Sequence, residues 1–351
     1  MILAEGNFGF HHGKTAVGVI RYGPDTVVAV IDSTRAGGNV WSILPGHDIP
    51  IVETLGEALA MTPRPDTLLI GIAPTGGRLP ASWRAVILEA IRMDAEYITL
   101  PKGAERDGQL DMIIGNIRKA ADIGVRTITY HWTVIPIRRN GRTPGRGGSN
   151  YAAFKLEEDW QSLPVTKSGR VTSDDYWERI THFLEKVIPV AKQCQVKMAC
   201  HPYDPPGLPF GYQGADNWDS PSVFEALKRY ETIVDSPYNG FQLCLGTTAE
   251  GLKNPNSEIV PIVEHLGRRG KIHQIHMRNI RGGLHNFEEV YPDEGVMDFL
   301  AIMRVLRDTQ FAGAICPDHM PRHADDPDGL QAFAFGYGYI TALIQAVNAE
   351  V

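Results

Sequence analysis

The sequence predicts an α/β protein: a (β/α)8 TIM barrel preceded by an N-terminal α/β extension. Three observations predict it. From Asp107 onward, apolar runs of strand character alternate strictly with amphipathic helical segments, the order that builds a parallel sheet. Five or more such units follow in series, which favours a closed barrel over an open sheet. The first hundred residues have a looser rhythm of short β-branched runs and turn signals. The chain's 351 residues are enough for one large domain or two ordinary ones.

Thr26-Val-Val-Ala-Val-Ile-Asp32 is compact and β-branched, as a buried parallel strand is. Asp66-Thr-Leu-Leu-Ile-Gly-Ile-Ala73 has the same character. Between them, Thr54 is an N-cap candidate ahead of the helically spaced residues up to Ala60. Ala81 to Met93 reads as an amphipathic helix and Ala95 to Pro101 as a further strand. A helix from Leu110 to Ile123 leads through Gly124 to a strand, Arg126 to Trp132. A Gly/Pro/Arg-rich loop then runs to about Phe154, and Thr172 caps a helix that ends near Gln193. Strands at 196–201, 240–246, 272–278 and 313–318 alternate with helices at 222–234, 259–267 and 296–308. A last helix runs from about Leu330 to Val347. A barrel needs eight strands and only about six follow Asp107, so Asp66–Ala73 and Glu96–Pro101 are expected to supply the first two. That places the extension at 1–60, with an outer limit at 100, and the catalytic barrel at 61–351.

Composition excludes several classes. The formal net charge is -7 with no long basic run, which argues against nucleic acid as the main partner. The densest basic stretch, Pro136 to Arg146, sets four arginines in a Gly/Pro-rich loop and suits a small anionic substrate equally well. No apolar stretch reads as long enough to span a bilayer, and the N-terminus makes a poor signal peptide. Cys194, Cys200, Cys244 and Cys316 form no CxxC pair, so disulfides are not expected and a reducing cytoplasm is the simplest compartment.

Barrel enzymes place their chemistry at the C-terminal ends of the strands. His201 ends one strand, Cys244 and His276 lie near the ends of the next two, and Asp318 ends the fourth. The gaps are 43, 32 and 42 residues, each about one strand–helix unit. Two imidazoles, a thiolate and a carboxylate therefore meet at one rim. Such a set suits Mn²⁺, Fe²⁺, Co²⁺ or Zn²⁺ better than Mg²⁺. Singly, each residue has a plainer explanation, since a lone buried cysteine is usually a small hydrophobe. His273 shares a strand with His276, three residues away, so strand alternation puts the two on opposite faces.

The flanking residues carry a resemblance. His201-Pro-Tyr-Asp-Pro-Pro206, Cys244-Leu-Gly-Thr247, His276-Met-Arg278, Phe287-Glu-Glu289 and Asp318-His319 occur in the order of the motifs of the D-mannonate dehydratase family. From about Arg106 to Val351 the chain resembles that family, with Tyr130-His-Trp132 where the family shows Tyr-Asn-Phe. The resemblance implies a Mn²⁺-dependent (or Fe²⁺-dependent) lyase that dehydrates a sugar acid, D-mannonate or a related aldonic acid, to a 2-keto-3-deoxy acid. It implies metal ligation by His201, Cys244, His276 and Asp318. Asp318 or His319 would transfer protons, and Arg278 would act in catalysis and hold substrate oxygens. His131, Arg142 and Arg146 are the further candidates for substrate contact.

Two departures stand out. The family's tyrosine shortly after the Asp-His motif has no counterpart in Asp325-Asp-Pro-Asp-Gly-Leu330, and His-Pro-Asp-Asp is His201-Pro-Tyr-Asp here. The first segments (Phe8 to Thr15, Val28 to Ser33, Ile72 to Arg84) resemble the Rossmann-like N-terminal domain of an ATP-dependent amide ligase-related family. Gly13-Lys14-Thr15 is similar to a phosphate loop, but Phe8 stands where the full motif needs glycine. The expected partner is a small-molecule sugar acid, with neither nucleic acid nor membrane, and assembly into a homo-oligomer stays open. A sugar isomerase or epimerase on the same barrel is the enzymatic alternative, although such enzymes usually build their metal sites from Glu and Asp. A catalytically inactive sugar-acid-binding protein is the other.

Overall fold

Four short parallel strands form the N-terminal sheet of a computed structural model that describes residues 1–9, 13–23, 26–63, 69–71, 102–122 and 124–350. They are β1 (Ile2–Leu3), β2 (Val30–Ile31), β3 (Ile51–Val52) and β4 (Leu69–Ile70), in spatial order β3-β2-β1-β4. That order, reversing at β1, is the order of a doubly wound sheet. Helix α1 (Lys14–Tyr22) joins β1 to β2. Thr54 caps α2 (Leu55–Leu59) by accepting from the Glu57 N–H, as the spacing predicts. Asp32, at the end of β2, is fully buried and accepts from the N–H groups of Gly6, Phe8 and Thr34. Its carboxylate is thus spent on shaping the turn after β1.

The expectation that Asp66–Ala73 supplies a barrel strand is corrected: Leu69 and Ile70 pair in parallel with Ile2 and Leu3. Helix and sheet approach closely there, because a Cβ on Gly71 would lie 2.6 Å from the Ala16 Cβ. A strand's β-branched content marks it as buried but does not say in which sheet. The expected helix Ala81–Met93 and strand Glu96–Pro101 lie outside the described residues, as do residues 10–12 of the phosphate-loop-like segment.

The second sheet holds β5 (Thr127–His131), β8 (Lys197–His201), β9 (Asn239–Cys244), β10 (Ile272–Met277) and β13 (Ala314–Pro317), all parallel, in order β13-β10-β9-β8-β5. Among the described residues it is a half-barrel, with five of the eight strands that closure needs. Its intervening helices include α3 (Ala104–Asp122), α4 (Ser173–Cys194), α5 (Val223–Ile233), α6 (Leu245–Glu250), α7 (Pro255–Arg268) and α8 (Phe299–Asp308). Helix α4 shows why they form. Thr172 and Asp175 make a reciprocal capping box, and Tyr176, Trp177, Ile180, Phe183, Leu184, Val187, Ile188 and Ala191 form one buried stripe at helical spacing. The expected strand 240–246 stops at Cys244, where the chain turns directly into α6.

Strict alternation misses a third sheet. Strands β6 (Gly141–Pro144), β7 (Asn150–Lys155), β11 (Asn279–Gly283) and β12 (Asn286–Val290) pair antiparallel in order β11-β12-β7-β6. Two of them sit in the stretch that reads as a Gly/Pro/Arg loop, and the other two follow β10 after a single residue. Phe154 and Phe287 pack across β7 and β12 at 5.5 Å between ring centroids.

The last helix, α9 (Leu330–Asn348), corrects the reading that no segment could span a bilayer: by length and composition alone it qualifies. It carries no charged residue, and a sequence scan for unbroken apolar runs passes over its Gly, Thr and Gln positions. Here it packs on α8, β13 and α1, and Tyr337 stacks on Tyr22 of α1 at 6.1 Å.

Candidate metal centre

Parallel strands place the residues at their C-terminal ends side by side. In register, His131 of β5 is opposite His201 of β8, and Cys244 of β9 is opposite His276 of β10. One ligand atom from each of His201, Cys244 and His276 lies within 4.8 Å of the others. The Asp318 Oδ2 atom, just past β13, is 3.7 Å from the Cys244 Sγ and 3.8 Å from the His276 Nδ1. Metal–ligand bonds of 2.0–2.3 Å in tetrahedral array imply ligand–ligand separations of roughly 3.3–3.8 Å. The Asp318 oxygen therefore stands at about ligand spacing from the Cys244 sulfur and the His276 nitrogen, beside the three-residue cluster.

The hydrogen bond behind His201 fits a metal as well. The His201 Nδ1 atom lies 2.7 Å from the Pro202 carbonyl oxygen, which can only accept. The proton is therefore on Nδ1, and Nε2 is left with a free lone pair. The His276 Nε2 accepts from the Gln242 side-chain N–H at 2.7 Å; a half-turn of that amide would present its oxygen to Nε2 and leave the lone pair on Nδ1. The buried Nδ1 has no hydrogen-bond partner. Buried polar atoms are seldom left unpaired, and an orphaned imidazole nitrogen beside a thiol and a carboxylate is a ligand in waiting. Cys244 is fully buried, and its sulfur accepts from the Thr247 N–H at 3.4 Å. Burial opposes the thiolate, but Arg278, His201 and His276 outweigh it and bring the thiol down to about 5. The metal-binding form is therefore the neutral-pH form. Burial likewise opposes the Asp318 anion, and His319, His276 and Arg278 hold it well below the usual carboxylate range.

A buried ionic network lies against this cluster. Arg278 is 2% exposed. Its Nη1 donates to Asp318 Oδ2 at 2.9 Å, and its Nη2 to Thr247 Oγ1 at 2.9 Å and Glu250 Oε1 at 2.7 Å. Arg139 donates to Asp204 Oδ1 at 2.7 Å, to Glu289 Oε1 at 2.7 Å and to Glu250 at 3.3 Å. It lies 4.9 Å above the Phe287 ring, which ties the network to the antiparallel sheet. Burial, joined by Asp204 and Glu289, outweighs the two guanidiniums and raises Glu250 to about 8.

His319 completes the rim. Its backbone φ of 45° is left-handed, a conformation that costs a non-glycine residue free energy and clusters at functional sites. The ring is 39% exposed, and its Nδ1 lies 2.8 Å from Glu289 Oε1. Burial works against the charged ring, but Asp318 and Glu289 lift it to about 9. His131 sits edge-on to His201 at 6.5 Å, and burial followed by His201 lowers it to about 4.

The structure therefore brings His131, His201, Cys244, His276, Arg278, Asp318 and His319 together. Arg146 is drawn off elsewhere: it makes a two-pronged ion pair with Asp293 and lies 4.8 Å over the Tyr291 ring. Arg142 is exposed on β6 and makes no ion pair among the described residues. Arg278 is turned inward onto protein carboxylates, which limits it as a clamp for a substrate. The residues that sequence reasoning missed are Arg139, Asp204, Glu250 and Glu289. Signals were present: Asp204 and Glu289 lie in the His201–Pro206 and Phe287–Glu289 motifs, Arg139 lies in the arginine-rich stretch, and Glu250 is a carboxylate closing an otherwise uncharged run from Leu245.

Comparison with known proteins yields two family matches. Residues 157–350 match the profile of D-mannonate dehydratase (UxuA), and residues 33–125 match a Rossmann-like domain of unknown function (DUF1611_N). A mannonate dehydratase of Thermotoga neapolitana is 34% identical over 204 residues, covering 55% of this chain and 53% of the relative. One of Streptococcus suis is 28% identical over 224 residues, covering 61% of this chain and 57% of the relative. The chain thus spans about half the length of the curated relatives it matches. The crystal structure of a mannonate dehydratase from Streptococcus suis serotype 2 superposes with a TM-score of 0.59 at 24% identity, over 73% of this chain and 75% of the other.

Proposed function

Since the chain belongs to the D-mannonate dehydratase family, whose profile covers more than half of it, we propose that it is a metal-dependent hydro-lyase that dehydrates a sugar acid to a 2-keto-3-deoxy acid. The observation that carries this reading is the convergence of His201, Cys244 and His276 within 4.8 Å at the ends of adjacent strands, with Asp318 beside them. These four residues are the proposed ligands. Their nitrogen, sulfur and oxygen donors favour Mn²⁺ or Fe²⁺ over Mg²⁺. D-mannonate or a related aldonic acid is the proposed substrate, and the cytoplasm the proposed location, consistent with four free cysteines. A closed (β/α)8 barrel belongs to the same reading, as does an N-terminal α/β unit that passes the expected limit at 60 and reaches about 100.

A divalent ion there supplies Lewis-acid stabilisation of the charge that grows on the substrate carboxylate as its α-proton leaves. The protein's own groups do the rest. Arg278 keeps Asp318 ionised and Cys244 a thiolate. Asp318, held so far below the carboxylate range, is a poor acid, so proton transfer falls to His319 through its Nε2. The neutral imidazole would take the α-proton on Nε2 and hand it to the β-hydroxyl, which leaves as water, and the enol that remains tautomerises to the keto acid. His131 lines the same rim and contacts the substrate. Arg142 is the better placed of the two loop arginines to meet a carboxylate, because Arg146 is already paired.

Incubating the Mn²⁺-loaded protein with a panel of aldonic and uronic acids tests the proposal. Formation of a 2-keto-3-deoxy product supports it; keto–aldo interconversion in its place would sink it in favour of an isomerase. One observation favours a second reading, a sugar-acid-binding protein without turnover: no tyrosine lies between Asp318 and Leu330. In the same panel, tight binding with no product would select that reading.

A further inference from the structure

We propose that Glu289 is the positioning residue for His319, holding its imidazole by the Nδ1–H so that Nε2 faces the metal centre, and that Arg139 holds Glu289 in place. The inference deepens the dehydratase reading and rests on it for the chemistry, but not for the geometry.

Glu289 lies on β12 of the antiparallel sheet, outside the strands that carry the ligands, and is 4% exposed. Its Oε1 receives the His319 Nδ1 at 2.8 Å and the Arg139 Nε at 2.7 Å. Arg139 is pinned in turn by Asp204 Oδ1 at 2.7 Å and by the Phe287 ring. A chain of fixed groups therefore runs from the antiparallel sheet through Phe287, Arg139 and Glu289 to the His319 ring. A second contact competes for the same nitrogen, since the Arg278 Nη1 is 2.6 Å from His319 Nδ1. A single Nδ1 cannot both donate to Glu289 and accept from Arg278. The Glu289 bond prevails, because Arg278 Nη1 already has the Asp318 carboxylate at 2.9 Å, whereas Glu289 can only accept. With Nδ1 committed to a buried carboxylate, Nε2 is the nitrogen left to exchange a proton with substrate. Orientation of a proton-transfer group by a third residue is a general device of such sites. The left-handed backbone at His319 is maintained against its own cost by these side-chain bonds.

Glu289→Gln keeps the side chain's volume and removes its charge. In the full chain loaded with diamagnetic Zn²⁺ and labelled with ¹⁵N-histidine, the His319 Nδ1–H resonance, assigned by its loss in His319→Asn, should move upfield as the charge-assisted bond weakens. With the Mn²⁺-loaded enzyme, kcat should fall about 10–100-fold while KM and bound metal change little, and Glu289→Asp should recover part of the loss. An unmoved Nδ1–H resonance overturns the proposal, and so does a fall in activity matched by loss of bound metal, which marks a merely structural ion pair. If the resonance moves but the wild-type protein dehydrates no acid in the panel, the positioning stands and the dehydratase reading fails.

Discussion

His273→Leu should remove a specific part of the protein's sensitivity to acid. His273 is 4% exposed, and neither ring nitrogen has a hydrogen-bond partner. Its ring lies against Gly240, where a Cβ would come within 2.6 Å of its Nε2. Burial, followed by Lys197 and Lys271, lowers it from 6.5 to about 3. Lys271 is itself paired to Asp235 at 2.7 Å, so the ring has no anionic neighbour of its own to welcome a proton. The folded state keeps His273 neutral, while the unfolded chain protonates it below about pH 6.5. Stability from this group is therefore complete above pH 6.5 and is lost as pH falls toward 3. At pH 5 the unfolded chain gains about 2 kcal/mol from that proton. Urea unfolding followed by tryptophan fluorescence at pH 7.5 and pH 5.0 measures it. The wild type should lose about 2 kcal/mol more than His273→Leu between the two pH values, with contributions from other groups cancelling in the comparison. Equal losses in the two proteins would refute the reasoning. So would a large loss of stability in the variant at pH 7.5, because the ring makes no hydrogen bond to lose.

Two further perturbations test the packing and the charge network. Gly240→Ala should destabilise by about 1–3 kcal/mol, because the new methyl would meet the Lys271 carbonyl oxygen at 2.4 Å and the His273 ring; thermal unfolding checks it. Arg139→Met should cost about 3–5 kcal/mol, as it strands the buried carboxylates of Asp204 and Glu289. Arg139→Lys should recover only part of that in the same assay, because one ammonium cannot reproduce the fork.

The candidate site was largely legible because each donor sits at the end of a strand that announces itself. The β-branched and apolar runs before His201, Cys244 and His276 could hardly be anything else, and unit spacing put all of them on one rim. Thr54 and Thr172 were legible as caps for a local reason, since a side-chain hydroxyl needs only a backbone N–H within three residues. The rest depended on long-range pairing. Leu69–Ile70 looks like any buried parallel strand, and only its partner β1 assigns it to the N-terminal sheet. β6 and β7 lie in a stretch whose Gly, Pro and Arg content says loop, and they are strands because β12 pairs alongside. Arg139 was one of four arginines in that stretch. Nothing local separates it from Arg146, yet one is buried among three carboxylates and the other lies half in solvent.

His201, Cys244, His276 and Asp318 are proposed to hold one divalent metal. Metal content of the purified protein, set beside Cys244→Ala, tests this assignment most directly. The wild type should carry about one Mn²⁺ or Fe²⁺ per chain and the variant should lose most of it, since the thiolate is a primary donor. Wild-type metal content in Cys244→Ala would contradict the assignment.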